Sequence, residues 1–182
     1  MNDILYQVLE VLNQWKGNED ALLHDGTQLI CRTPQESPLA YLHKLYPPLN
    51  TLDIEKIEVL LKVSLPIEYL DFLLTFNGMD LFNGNIKIFG MRKSSNNTFN
   101  KFFQPLDIII ENLDKNNKSD YFLFAYYMMK YNAYFKSDDE KVYIKSNENE
   151  TTMNEYMNFY EWLTHSIYNL SSYYDQFGKE IR

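Results

Sequence analysis

The chain has 182 residues, which is long enough for one domain with a full hydrophobic core and too short for two domains of ordinary size. Hydrophobic residues make up 45% and charged residues 23%, a composition typical of a globular protein. Its formal net charge of −8 disfavours nucleic acid as a partner, because phosphate binding needs clustered lysine and arginine, and favours a cationic partner where charge contributes to function. Cys31 is the single cysteine, which excludes an intrachain disulfide.

The first quarter of the chain contains three predicted elements. Apolar residues recur at helical spacing over residues 3–16, and residues 28–33 are typical of a short strand. Ser37 and Pro38 resemble an N-cap and a first-turn proline, so they predict a short helix to about Leu45. The acidic N-terminal segment lacks a basic region and a long apolar run. We therefore expect no secretory signal, no membrane span and a cytoplasmic location.

The next segment predicts two helices and a strand. Thr51 can cap the first helix. Pro66 suits the first position of the second helix, residues 66–76, because its missing N–H would be unpaired there anyway. One apolar face of that helix is expected to be buried, formed by Leu65, Tyr69, Phe72, Leu73 and Phe76. Gly78 is expected to close the helix in the left-handed conformation, and residues 85–90 alternate as on a strand.

The second half of the chain is rich in strand signals. The polar segment 91–101 is predicted to be a mobile loop, and residues 104–113 fit either a helix or a sheet edge. Residues 121–127 are dense in aromatics without breakers and predict a strand. Residues 132–136 and 141–145 predict a hairpin.

A final helix is predicted over residues 153–175. Thr152 and Glu155 fit a capping box at its start, and Leu163 and Ile167 lie on its apolar face. Helices, then mostly strands, then a final helix favour an α+β fold. We expect a single domain with a central twisted antiparallel sheet packed with N-terminal and C-terminal helices. The sheet should include residues 85–90, 121–127, 132–136 and 141–145.

No pattern in the sequence indicates catalysis. His24, His43 and His165 are far apart and match no metal-binding spacing, and Cys31, in a predicted strand, is typical of a buried apolar cysteine. No glycine-rich phosphate-binding motif is present, so no cofactor and no metal are expected. Convergence of the histidines with carboxylates in the fold would give a hydrolase, which stays open as an alternative.

Two features are compatible with protein binding. Asp138, Asp139 and Glu140 occupy the predicted hairpin tip, where they form either a solvated turn or part of a partner contact. The 15 tyrosines suit either a half-buried sheet or an adaptable contact surface. Most acids of the predicted helices, such as Glu55 and Asp71, lie outside the apolar face. Exposure to solvent accounts for acids at these positions without a functional role.

The chain resembles the SUKH superfamily, which groups a yeast regulator of cell-wall synthesis with many bacterial proteins. The segments that carry the resemblance are, in order, LYPPLNTLDIEKIEVLLKVSLP at 45–66, FNG at 76–78, IFG at 88–90, QPLDII at 104–109, YFLFAYY at 121–127 and YEWL at 160–163. Two positions depart from the family pattern. Lys62-Val63 stands where many relatives have a glycine, and Met128-Met129-Lys130 replaces a turn rich in glycine and aspartate.

The resemblance implies one SUKH-like domain over residues 1–182, with a family-like core at about 40–175 and an N-terminal extension at 1–39. It also implies a function. Bacterial members look like immunity proteins that bind and neutralise toxins, often nucleases, and an acidic protein can cover a basic toxin surface. A regulatory scaffold that binds a host protein is the alternative implied by the yeast member. Neither the toxin nor the oligomeric state can be read from the sequence.

Overall fold

The computed structural model describes residues 3–17, 19–93, 102–113, 121–136, 139–149 and 151–181. Its helices are α1 (Asp3–Leu12), α2 (Thr51–Leu61), α3 (Ile67–Leu73), α4 (Ile108–Asn112) and α5 (Phe159–Ser171). Its strands are β1 (Ala21–Leu22), β2 (Gln28–Arg32), β3 (Tyr41–Leu45), β4 (Met79–Leu81), β5 (Ile86–Ile88), β6 (Tyr121–Tyr127), β7 (Tyr131–Lys136), β8 (Val142–Ser146) and β9 (Thr152–Tyr156).

The nine strands form one antiparallel sheet in which their spatial order is the order of the sequence. Each strand pairs with the next, from β1 with β2 to β8 with β9. Helices α2 and α3 are inserted between β3 and β4, and α4 between β5 and β6, while α1 packs against α5. The predicted α+β fold with a central antiparallel sheet is confirmed.

An aromatic cluster forms the centre of the core between the helices and the sheet. The Tyr69 ring of α3 lies 5.5 Å from Phe124 of β6, 5.4 Å from Phe135 of β7 and 5.4 Å from Phe159 of α5, measured between ring centroids. The Tyr69 hydroxyl donates to the carbonyl of Phe89 at 2.9 Å. The predicted burial is confirmed for Leu65, Phe72, Phe76, Leu163 and Ile167.

The short motifs FNG and IFG lie against each other. Asn77 is buried, and its side chain makes two hydrogen bonds with the backbone of Met91, accepting from the N–H at 2.7 Å and donating to the carbonyl at 2.8 Å. Gly78 has a φ of +82°, and a Cβ there would lie 2.5 Å from the Ile88 carbonyl oxygen. A Cβ at Gly90 would lie 2.3 Å from the Asn77 carbonyl oxygen. Both glycines are therefore required by close backbone approach.

The predicted helix over residues 66–76 is shorter in the structure. Pro66 is its N-cap with extended backbone, rather than its first helical residue, and the helix ends at Leu73 with Leu74 as C-cap. Gly78 therefore does not close the helix. Because Asn77 is tied to Met91, the chain has already turned there, and Gly78 shapes the entry into β4. In the preceding helix the cap is Asn50, not Thr51, since the Asn50 side chain accepts from the Asp53 N–H.

The helix predicted from Ser37-Pro38 to Leu45 is wrong. Tyr41–Leu45 is strand β3, which pairs with β2 on one side and with β4 on the other. Local cap signals were outweighed by these two ladders of backbone hydrogen bonds. The strand predicted at residues 28–33 is confirmed as β2, and residues 104–113 contain α4, capped by Asp107.

The start of the final helix was also predicted wrongly. Thr152–Tyr156 is the edge strand β9, and α5 begins at Phe159, where the Asn158 side chain accepts from the Glu161 N–H. The sequence pattern of a capping box at Thr152 was misleading because pairing with β8 extends that segment. The loop predicted at 91–101 lies, from residue 94 onward, outside the described residues.

Three residues in the positions that depart from the family pattern adopt left-handed backbone. Lys62, at the C-cap of α2, has a φ of +54°, and Met128 and Met129 in the β6–β7 turn have φ values of +51° and +54°. Glycine adopts this conformation with less strain than a residue with a side chain. The turns therefore keep the geometry that glycine would favour although glycine is absent.

Gly78→Ala tests the close packing of the two motifs. We expect it to lower the free energy of unfolding by roughly 3 kcal/mol, because it adds backbone strain and a clash with Ile88. Gly17→Ala is the matched control, since Gly17 has a φ of +95° and no atom of the described, non-adjacent residues lies within 4 Å of an added Cβ. Backbone strain alone costs about 1 kcal/mol there. Urea denaturation of both variants measures the difference, and equal losses would contradict the packing argument.

Candidate functional site

Charge is divided between the two layers of the fold. The five helices carry nine carboxylates and one lysine, namely Asp3, Glu10, Asp53, Glu55, Glu58, Glu68, Asp71, Glu111 and Glu161 with Lys56. The nine strands carry five cations and two carboxylates, namely Arg32, Lys44, Lys87, Lys136 and Lys145 with Asp80 and Glu155. We call the helical layer the acidic side, since most of the negative charge in regular structure lies there.

Several acids of the acidic side already have structural partners. Glu58 accepts from the Leu65 N–H at 2.9 Å and fastens the end of α2, while Glu68 accepts from the Tyr160 N–H at 3.1 Å and joins α3 to α5. Asp53 completes a capping box and pairs with Lys93 at 2.8 Å, which contributes to holding its pKa below the usual value although burial acts the other way. Glu55 and Asp71 are exposed and are available to a partner.

Exposed apolar side chains accompany those two acids. On α2, Leu52 and Val59 are 71% and 75% exposed on either side of Glu55. On α3, Ile67 is 62% exposed, one turn before Asp71. Spacings of three and four place each set on one helix face, opposite the buried residues. We call these sets the solvent stripes: Leu52, Glu55 and Val59 on α2, and Ile67, Asp71 and the C-cap Leu74 of α3.

The predicted hairpin tip lies between β7 and β8. Asp139 accepts from the Lys141 N–H at 3.0 Å and from the Tyr143 hydroxyl at 2.8 Å, and this hydrogen bond raises the pKa of Tyr143 to about 12. Asp139 therefore organises the turn, whereas Glu140 is exposed. Asp138 lies outside the described residues. The partner contact predicted for these three acids stays a prediction.

A groove connects the hairpin tip with the helices. It has a volume of about 460 Å³ and runs between the tip and the α2–α3 connection, residues 62–66. We call it the tip groove; its lining includes Val63, Leu65, Pro66, Phe122, Asp139 and Glu140. The groove has apolar walls, and its charged lining residues are two carboxylates and two lysines, Asp139 and Glu140 with Lys62 and Lys136. It places the tip beside the segment that joins the two solvent stripes.

The three histidines lie on different elements. His43, in β3, is fully buried with ring contacts to Trp15 and Phe82, whereas His24, between β1 and β2, and His165, on α5, are exposed. Cys31 is buried in β2, as its sequence context predicted. Among the described residues, no group of three or more His, Cys, Asp or Glu could hold a metal ion.

The opposite face of the sheet carries tyrosines. Tyr134 and Tyr143 are cross-strand neighbours, and the Tyr121 ring lies 6.1 Å from Tyr134 and 5.5 Å from Tyr143 between centroids. Alternation along β7 and β8 places these rings on the face away from the helices, because Phe135 and Val142 point into the core. Lys145 Nζ lies 3.2 Å from the Tyr121 ring centroid, in the range of a cation–π contact.

The solvent stripes were not recognised in the sequence, although a signal for them exists. Leu52 and Val59 are seven residues apart, as are Ile67 and Leu74, so each pair repeats every two turns on the side opposite the core residues. A solvated face explains the intervening acids, but it does not explain the exposed apolar residues beside them. No described helix is long and apolar enough to cross a membrane.

A family model described as the SMI1 / KNR4 family (SUKH-1) matches residues 48–165, which is more than half of the chain. The chain therefore belongs to this family, and the resemblance stated from its motifs is confirmed. The match spans α2 through most of α5 and includes both solvent stripes and the hairpin tip. No curated protein matches the chain.

His43 predicts a pH dependence of stability. Its Nδ1 accepts from the Phe82 N–H at 3.4 Å, its Nε2 is buried without a hydrogen-bond partner among the described residues, and burial lowers its pKa from 6.5 to about 3. Because the pKa of His43 is lower in the folded state than in the unfolded state, the stability that the neutral, buried ring contributes is complete above pH 6.5. It is lost as the pH falls toward 3. The free energy of unfolding should therefore fall by up to about 1.4 kcal/mol per pH unit in that window.

His43→Gln should flatten this part of the pH profile, because glutamine can accept from Phe82 but does not titrate. His24→Gln, at an exposed histidine, is the control and should leave the profile of the parent unchanged. Urea unfolding between pH 7.5 and 4.5 measures all three proteins. A parallel profile for His43→Gln and the parent would show that burial of this histidine does not produce the pH dependence.

Proposed function

We propose that this member of the SMI1 / KNR4 family is a non-catalytic binding protein that neutralises a cognate bacterial toxin, of nuclease type, by direct contact in the cytoplasm. The observation that carries the proposal is the division of charge between helices and strands, which makes the helices acidic and leaves exposed apolar side chains among their acids. A nuclease surface that holds phosphates is basic, so the acidic side is complementary to it.

The solvent stripes supply the contacts that such a complex requires. Exposed leucine, valine and isoleucine side chains on two helices can fill apolar pockets of a partner, and Glu55 and Asp71 can steer its approach. Both stripes lie on regular helices that are held by the core. Little side-chain or backbone freedom is therefore lost on binding, which favours affinity.

The hairpin tip extends this surface. Glu140 is exposed at the tip groove, and Asp139 places further negative charge in the same turn. We propose that Asp138, Asp139 and Glu140 contribute to the approach of the partner through their charge, while Asp139 also keeps the turn in shape. Inhibition follows from occlusion: the toxin cannot reach its substrate while this surface covers it, and no bond is made or broken.

A regulatory scaffold is the second candidate function. The observation that favours it is the tyrosine-bearing face of the sheet, which lies away from the helices and carries Lys145 among Tyr121, Tyr134 and Tyr143. Tyrosine offers contact area at low entropic cost, so this face is suited to a second protein partner. A scaffold needs two such surfaces, whereas an immunity protein needs one.

Neutralising three acids of the proposed surface tests the immunity function. The test uses the cognate toxin domain, which is to be sought in the reading frame beside this one. Glu55→Gln, Asp71→Asn and Glu140→Gln together should slow association at low salt by about 10-fold and flatten its dependence on salt, because steering charge is removed. The rate of dissociation should change less. Stopped-flow mixing at several salt concentrations measures these rates.

The matched control changes net charge equally at exposed acids outside the surface: Glu36→Gln, Glu148→Gln and Glu180→Gln together. Its association rate should stay within about 2-fold of the parent. Equal slowing by both triple variants would show that total charge, not the acidic side, controls encounter. A toxin that forms no complex, or that still kills cells co-expressing the parent protein, would contradict the immunity function.

A further inference from the structure

The outward face of α2 carries an exposed apolar row. Leu52 and Val59 are 71% and 75% exposed. They are seven residues apart, which is the repeat by which two helices pair along a seam. On the opposite side of the helix, Ile54, Ile57 and Leu61 are buried in the core. The core therefore holds α2 in place without using this row.

Two opposite charges flank the row, one on each side. Because a helix has about 3.6 residues per turn, Glu55 and Lys56 lie about 50° to either side of the line from Leu52 to Val59. Both are exposed, and neither belongs to a salt bridge within the part of the chain that the structure describes. The outward face of α2 therefore has one negative edge and one positive edge.

This division of charge distinguishes the two ways in which α2 of a second copy can pair with α2 about a two-fold axis. If the helices run antiparallel, edges of equal sign meet, so Glu55 faces Glu55 and Lys56 faces Lys56. If they run parallel and in register, edges of opposite sign meet, and Glu55 of each copy faces Lys56 of the other. Leu52 then meets Leu52, and Val59 meets Val59. The face is complementary to itself in the parallel arrangement alone.

We propose that this chain forms a reversible two-fold dimer with a second copy of itself through parallel α2 helices. Leu52 and Val59 form the seam, and two Glu55–Lys56 pairs, one on each side, fix the register. A helix of 11 residues is about 16 Å long, so the interface is smaller than the roughly 1,200 Å² of a stable complex. We therefore expect a Kd on the order of 100 µM.

The dimer does not rest on the proposed immunity function, and its test needs no toxin. It bears on that function because the dimer covers the solvent stripe of α2. A toxin that binds this stripe and a second copy of the chain exclude each other, so toxin binding would dissociate the dimer. Failure of the immunity function would leave the dimer unaffected.

Exchanging the two charges tests the pairing. Glu55→Lys and Lys56→Glu should each weaken dimerisation by about 10-fold, because each makes both contacts repulsive. The double variant should restore it to within about 3-fold of the parent, since lysine and glutamate face each other again. An equimolar mixture of the two single variants should form a heterodimer for the same reason. Sedimentation equilibrium of the full-length proteins at about 0.15 M salt, where long-range repulsion is screened, measures these constants.

Two variants at exposed positions outside α2 are the controls for net charge. Glu148→Lys and Lys179→Glu change the net charge as the single variants do, and both should stay within about 3-fold of the parent. Glu55→Lys also reduces the repulsion between two copies of net charge −8. Net charge alone therefore predicts tighter association for that variant, the opposite of the expected result. All four substituted side chains are exposed, so the melting temperatures should stay close to that of the parent.

Cross-linking tests the direction of the helices. In the parallel dimer, Leu52→Cys lies against the same residue of the second copy, so oxidation with copper phenanthroline should give a disulfide-linked dimer. Leu22→Cys, at a leucine of β1 that is 74% exposed, is the matched control. It should cross-link about 10-fold more slowly, because it meets its copy by random collision. The native Cys31 is buried and should not react.

Three results would overturn the proposal. A parent protein that stays monomeric at every concentration would leave the outward face of α2 to a different partner. Single variants that associate as tightly as the parent, or a double variant that does not recover, would show that Glu55 and Lys56 do not meet across the dimer. Cross-linking of Leu52→Cys no faster than the control would rule out the parallel arrangement and, with it, the proposed interface.

Discussion

The contact of Tyr69 with the sheet is the interaction on which the rest of the structure depends. Its ring, carried by α3, meets Phe124 and Phe135 from the middle strands and Phe159 from α5, and its hydroxyl reaches the carbonyl of Phe89. One side chain thus joins a helix, two strands, the final helix and the IFG motif. Burial raises the pKa of Tyr69 far above its usual value, so the hydroxyl stays a donor.

This arrangement determines what the outer surface can do. Because Tyr69, Phe72 and Leu73 face the core, Ile67 and Asp71 of α3 face outward. Helix α2 is divided in the same way into a buried face and an outward face. The core also rigidifies both helices, so their exposed residues form an ordered surface before any partner arrives. The packing that makes the fold therefore also produces the surface proposed to bind a partner.

Much of the fold could be predicted from periodicity, because Phe72, Leu163 and Ile167 repeat at helical spacing and residues 121–127 have no breakers. The errors have a common physical origin. Ser37-Pro38 and Thr152 carry good local helix signals, yet Tyr41–Leu45 and Thr152–Tyr156 became strands by pairing with distant segments. Such pairing depends on which strands are neighbours, and a single sequence does not show this.

The candidate site was predictable only in part. Glu140 was expected to be exposed from its turn position, and it is, but the turn-forming role of Asp139 depends on the Tyr143 hydroxyl four residues away. The solvent stripes could have been found by comparing both faces of each helix.

Hydrogen–deuterium exchange of the protein with and without its toxin partner tests the central claim most directly, since it reports which backbone segments become protected in the complex. Protection should appear across α2, α3 and the hairpin tip, with little change in β9 at the sheet edge or in peptides of β6–β8 outside the tip. Protection confined to β9 or to the tyrosine-bearing strands, with α2 and α3 unchanged, would contradict binding through the acidic side.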